Sequence, residues 1–443
     1  MTQLFTGVCL LLAAGGGTPV PHGIFPYHYQ KHTLPNGLRT IVIPMEGSGL
    51  VAYYSIVRTG SRDEVEPGKS GFAHFFEHMM FRGTRKYPQD VYNRIVTSIG
   101  AQANAYTTDD YTAYHLCFAK DDLEKVVEIE SDRFQNLQYG QQAFQTEAGA
   151  VYGEYRKTVT QPFALLEEKL HDAAYDLHTY KHTTMGFERD IKAMPEAYQY
   201  SLDFFKRYYR PENVVLVIVG DVVPQSVFDL LAKYYGPWQS GYVAPQIPVE
   251  PPQTAERAVE VSYPGKTLPI LDIAYKGDAF EVSDRDYLAA ILLGELAFGP
   301  TSDIYRKLVI QQQRVQFIGA HAPLNRDPPL MEITSMVNRS NDIAAVRDEI
   351  YETLDEFQKQ PVDETRLANL KRRNKYVFVM QLDAPDKVAA ALARFVALTG
   401  GIEVVDQLYH EFDAIGPQDI MQAAGKYFVP ARRTVAVLKG TTP

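Results

Sequence analysis

Two cysteines in 443 residues are too few to staple a fold. Cys9 and Cys117 lie far apart, Cys9 inside a terminal apolar segment, and neither has the spacing of a metal ligand, so no disulfide framework can be read. Long hydrophobic runs are missing as well. No stretch approaches the roughly 20 apolar residues of a membrane span, which implies a soluble mature chain. Positive charge is in deficit: 44 Lys and Arg stand against 54 Asp and Glu, a net charge of −10, which argues against general nucleic-acid binding. Proteins or peptides are the expected partners.

What is present suits a large globular protein. Hydrophobic residues make up 45% of the chain, an ordinary share, and 443 residues exceed one typical core. Two domains of about 200 residues are expected. The one targeting candidate is Val8 to Ala14, a short apolar run followed by the glycine tract Gly15 to Gly17. It reads as a secretory signal with Ala14 near the cleavage point, although no Lys or Arg precedes it. A periplasmic or secreted protein is therefore expected, with a cytoplasmic one as the alternative.

The pentad His74-Phe75-Phe76-Glu77-His78 carries the chemistry. On an α-helix, residues four apart share a face with Cβ atoms about 5–6 Å apart, so His74 and His78 can turn imidazoles toward one ion. Glu77 lies on the adjoining edge of that face, where a carboxylate reaches water without occupying a ligand position. A tetrahedral catalytic zinc needs a third protein ligand and one open position. The stretch Gln142 to Thr158 offers one. It reads as a helix with Glu147, Val151, Glu154 and Thr158 recurring along one side, and Glu147 and Glu154 lie two turns apart. The spacing alone fits two solvated acids on an amphipathic helix equally well.

The pentad and Glu154, with 75 residues between His78 and Glu154, resemble the pitrilysin, insulinase and mitochondrial processing peptidase family, whose zinc motif is His-x-x-Glu-His followed by a distant Glu. Ser70-Gly71-Phe72-Ala73 and Met80-Phe81-Arg82-Gly83-Thr84 resemble the flanks of the family's metal helix, and Gly100 to Thr107 resembles its substrate-binding strand. The resemblance covers nearly the whole chain after about His28. It implies one zinc ion held by His74, His78 and Glu154, with Glu77 as general base and Glu147 orienting a ligand histidine. It also implies an exposed strand edge at Ala103, Asn104, Ala105 and Tyr106, to which an extended peptide adds. Read without the family, the same segment is an ordinary strand with a turn at Asp109-Asp110. His178 and His182, in a segment that also resembles a family loop, and His115 are read as structural. Arg432-Arg433 is read as an exposed turn.

An internal repeat supports two halves. Lys206 to Pro211 leads into the strand-like run Val214 to Val219, and Lys426 to Pro430 leads into Thr434 to Leu438; Pro211 and Pro430 lie 219 residues apart. Four prolines between Tyr242 and Ala255 suit a stiff linker. The expected organisation is a leader at 1–23, a zinc-bearing domain at 24–241, a linker at 242–256 and a homologous domain at 257–443. The expected fold is α+β, each domain a mainly antiparallel sheet with helices on one face.

The second half departs from the family. Ser302 to Leu308 resembles the start of a helix that carries an Arg and, seven residues on, a Tyr in catalytically complete members; here Val309 and Gln316 fall at those positions. Neither matches the pair: valine offers no cation, and even a shift of one residue reaches Phe317, which lacks the hydroxyl donor that would stabilise an oxyanion. Two readings follow. The chain is the zinc-bearing subunit of a heterodimeric peptidase whose homologous partner supplies the Arg and Tyr, or it is an assembly subunit that keeps a zinc site without turnover. Glu77 favours the first, because a dead subunit has no physical need for it.

Overall fold

The structure, a computed structural model, describes residues 23–441. Cys9 and the leader expected at 1–23, apart from Gly23, lie outside the described residues. The first half forms a six-stranded sheet from β1 (Gln30–Thr33), β2 (Arg39–Pro44), β3 (Leu50–Val57), β4 (Gln102–Thr107), β5 (Thr112–Ala119) and β6 (Val214–Gly220), in the order β1-β2-β6-β3-β5-β4. The second half forms a five-stranded sheet from β7 (Arg257–Lys266), β8 (Ile270–Lys276), β9 (Val315–His321), β10 (Leu330–Val337) and β11 (Arg433–Thr441), in the order β7-β11-β8-β10-β9. With β1 set aside, the two orders are the same. Each sheet is antiparallel except for one pair, β2 with β6 and β7 with β11, and that pair falls at the same place in both. Pro211 and Pro430 each open a short 3-10 turn before the strand that joins this pair.

The central strand β6 reads Val-Val-Leu-Val-Ile-Val-Gly and is buried at every residue, so it needs cover on both faces. On one face Val214, Leu216 and Ile218 meet helices of their own half, including Phe72–Met79. On the other, Val215, Val217 and Val219 meet Val388, Leu392 and Val396 of helix Pro385–Thr399, which comes from the second half. The converse holds for the second sheet. Leu166 and Leu170 of helix Pro162–Ala174, from the first half, pack against Val261, Ile270, Ala436 and Leu438. The expected arrangement, helices on one face, thus gains a second layer that each half lends to the other.

Tyr242 to Thr254 contains no helix or strand. It is tied down by Glu250, whose carboxylate accepts the backbone N–H groups of Asp176 (2.9 Å), Leu177 (2.9 Å) and His178 (3.1 Å) and pairs with Lys276 on β8. Burial pushes this carboxyl up, but Lys276 and the three N–H groups outweigh it and hold it at about 2. Glu250→Gln is expected to cost about 2 kcal/mol, the worth of hydrogen bonds to a charged group. Because the folded pKa lies below the unfolded value of about 4.3, Glu250 contributes fully above that pH. Its contribution is lost as pH falls toward about 2. Urea titrations at several pH values should therefore show a flatter acid limb in the variant.

Arg432 closes the turn expected here, but neither it nor Arg433 is exposed. Arg432 donates to Lys276 O (3.0 Å), while Arg433 begins β11, stacks 3.8 Å from the Tyr351 ring centre and pairs with Glu256. An aromatic face and an acid from neighbouring segments draw both guanidiniums inward. Among the described residues, no single helix is long and apolar enough to cross a membrane.

Candidate metal centre

The pentad lies on helix Phe72–Met79. Gly71 starts this helix with φ +89°, and a Cβ there would stand 2.6 Å from Met185 O, so the turn needs glycine. With no side-chain cap of its own, the helix end is satisfied by Glu64, whose carboxylate accepts the N–H of Gly71 and of Ala73, both at 2.6 Å. Phe72, Phe75, Phe76 and Met79 anchor the helix in the core. That packing leaves His74, Glu77 and His78 on the side that meets Glu154.

Glu154 lies on helix Gln141–Thr158. Its Oε2 is 3.8 Å from His74 Nε2 and 3.3 Å from His78 Nε2, and one donor atom from each of the three residues lies within 4.8 Å of the others. Zinc bonds to nitrogen and oxygen of about 2.0–2.2 Å place tetrahedral ligands about 3.4 Å apart, so the donor set fits the ion. Burial, and then the neighbouring His78, push His74 down to about 4. It is neutral at physiological pH, as a metal ligand must be.

Glu147 lies two turns before Glu154. Its Oε1 is 2.9 Å from His78 Nδ1. An ionised carboxylate only accepts, so His78 carries its proton on Nδ1 and turns the Nε2 lone pair toward Glu154. The other Glu147 oxygen pairs with Arg82. Glu77 stands beside the donor trio, and its Oε2 accepts the Thr107 hydroxyl at 2.7 Å. Burial raises the Glu77 carboxyl, against the pull of Thr107 and then of His78.

Thr107 ends β4, which pairs with β5 alone among the described strands and so has a free edge. Along it Ala103 and Asn104 are exposed, Ala105 is buried and Tyr106 is half-buried. Three other histidines singled out in the sequence have partners of their own. His115 stacks on Tyr54 with ring centres 4.7 Å apart, His178 Nε2 meets Asp327 at 3.1 Å, and buried His182 turns Nδ1 to Thr183 O. Three contributors were not picked out from the sequence: Glu64, Thr107 and the Arg82 link to Glu147. Each depends on a contact across segments that no local spacing encodes.

In the second half, Asp303–Tyr305 makes one helical turn that widens into a π-turn over Arg306–Gln311. Val309 packs against the second core, Gln316 is exposed on β9, and the Phe317 ring lies 5.9 Å from that of Phe163. No guanidinium or phenol occupies the two positions.

The family model described as Insulinase (Peptidase family M16) matches residues 51–188, and the one described as Peptidase M16 inactive domain matches residues 197–374. The zinc protease PqqE of Helicobacter pylori is 28% identical over 97% of this chain and 97% of its own length. The bovine mitochondrial-processing peptidase subunit beta is 25% identical over 91% of this chain and 83% of its own. The crystal structure of a protease from Helicobacter pylori superposes with a TM-score of 0.87 at 26% identity, covering 93% of this chain and 99% of that one. Two domains of one family thus account for well over half of the sequence, and the chain belongs to the insulinase family of peptidases, M16.

Proposed function

We propose that this chain is the zinc-bearing subunit of an endopeptidase for peptides or unfolded polypeptides, completed by a homologous subunit. The observation that carries the reading is the convergence of His74 Nε2, His78 Nε2 and Glu154 Oε2, with Glu77 beside them but outside the set. His74, His78 and Glu154 would hold one zinc ion, which would supply an acidified water and a positive charge to polarise the scissile carbonyl. Glu77 takes the proton from the attacking water on its carboxylate and returns it to the leaving amine. Thr107 keeps that carboxylate aimed, and Glu147 fixes the His78 tautomer. The free edge of β4, at Ala103 to Tyr106, pairs with the substrate backbone beside the base.

The oxyanion still needs donors. Val309 offers no cation and exposed Gln316 no hydroxyl, so the partner's Arg and Tyr complete the site. The family model that ends at residue 374 carries the description "inactive domain", which favours a second reading: an assembly subunit that binds zinc without turnover. We also read the apolar run at Val8 to Ala14 as an export signal, placing the protein in the periplasm or outside the cell.

The test is cleavage of a mixture of unstructured peptides by the zinc-loaded chain, alone and after mixing with a homologous subunit that carries the Arg and Tyr. Cleavage only in the mixture is expected. Cleavage by the chain alone would remove the need for the partner, and none in either case would favour the assembly reading. In the active mixture, Thr107→Val should lower kcat about 10-fold, roughly 1.4 kcal/mol, with zinc content and KM close to the parent.

A further inference from the structure

Arg82 holds no metal and moves no proton, yet it touches the residue that sets the His78 tautomer. It closes the 3-10 turn Met80–Arg82, directly after helix Phe72–Met79. The next residue, Gly83, has φ +86°, and a Cβ there would stand 2.5 Å from Tyr87 O and 2.6 Å from Gln89 N. Only glycine fits, so the chain direction at Arg82 is fixed. One end of the guanidinium pairs with Glu147 Oε2 and the other reaches Gln89 Oε1 at 3.4 Å. The second Glu147 oxygen meets His78 Nδ1 at 2.9 Å. The Glu147 side chain is only 9% exposed, so it has little access to water for any other partner.

We propose that Arg82 is a positioning residue for the metal centre, acting through Glu147 on His78. The inference rests on the zinc site described above. A carboxylate with two oxygens and two fixed partners cannot rotate without losing one of them. Arg82 takes one oxygen and thereby commits the other to His78. Arginine suits the task because its planar fork is always charged and holds its direction. The Glu147 carboxylate then holds the imidazole plane, and with it the direction of the Nε2 lone pair toward Glu154. Without Arg82, Glu147 keeps one partner and is free to swing, so His78 loses its set orientation even though no ligand has changed.

The experiment is a double-mutant cycle read by zinc affinity, measured by competition with a chromogenic chelator, alongside thermal unfolding of the metal-free proteins. Arg82→Gln should weaken zinc about 10-fold, within the range for partners of metal ligands. Glu147→Gln should weaken it by 10-fold or more on the same grounds. If Arg82 acts through Glu147, the double variant is no weaker than Glu147→Gln alone, and Arg82→Lys recovers part of the loss. Multiplying effects in the double variant, or an Arg82→Gln protein that binds zinc like the parent, would overturn the proposal. A loss of zinc affinity that tracks a lower unfolding temperature of the metal-free protein, and that Arg82→Lys does not repair, would also overturn it, in favour of a purely structural role. If the parent itself bound no zinc, the metal-centre reading would fail first.

Discussion

Glu77→Gln should cut peptide hydrolysis by about 10²- to 10⁴-fold, the usual worth of a positioned general base, while zinc content stays that of the parent. The separation follows from geometry. Glu77 lies outside the trio His74, His78 and Glu154, and its nearest hydrogen-bond partner is the Thr107 hydroxyl, so an amide in its place disturbs no ligand. Glutamine keeps the shape and can still accept from Thr107, but it cannot take a proton from water. His78→Ala is expected to behave differently, losing metal and turnover together, because it removes a donor and leaves Glu147 without its imidazole. Metal analysis and initial rates on the same preparations make the comparison. A Gln variant as fast as the parent would show that Glu77 is not the base.

The second large effect lies behind the metal helix and concerns stability. Glu130 and Arg133 form an ion pair with side chains 0% and 2% exposed, bonded at 3.1 Å through Nε and 2.7 Å through Nη2. Four rings surround the guanidinium, Phe81, Tyr92, Tyr114 and Phe134, with centres 5.0–5.6 Å away. Glu130→Ala strands a buried cation among these rings and is expected to cost about 3–5 kcal/mol. Against a total stability of about 5–15 kcal/mol, that loss is severe. The double variant Glu130→Leu with Arg133→Met should recover most of it, because it removes both desolvated charges at once. Urea unfolding of the three proteins distinguishes the cases. The effect should spread to the metal, since Tyr114 donates its hydroxyl to Phe76 O within the pentad at 3.1 Å.

The parts of this site that the sequence announced are those set by short, regular spacing. His74 and His78 are one helical turn apart, Glu147 and Glu154 two, and each pair appears on one helix face in the structure. The repeated proline-to-strand signal at Pro211 and Pro430 likewise marked two sheets with the same strand order. What spacing could not convey is which helix meets which strand. The hold of Thr107 on Glu77 spans 30 residues, and that of Arg82 on Glu147 spans 65. Both depend on tertiary placement that no periodic pattern encodes. The exchanged helices were hidden for the same reason. The apolar faces of Pro162–Ala174 and Pro385–Thr399 announce burial without saying against which sheet. Arg432-Arg433 misled because exposure was inferred from charge, whereas Tyr351, Glu256 and Asp278 supply partners from elsewhere in the chain.

The exchange of covering helices also orders events during synthesis. The first sheet is complete once β6 has left the ribosome, yet its outer face stays bare until Pro385–Thr399 emerges, some 165 residues later. At about 5–20 residues per second, that face of Val215, Val217 and Val219 remains uncovered for roughly 8 to 33 seconds. A nascent chain in this state offers an apolar sheet to any passing partner, so its yield should depend on a chaperone that shields the face. Nor should a fragment ending before residue 385 remain in solution by itself, however complete its metal ligands.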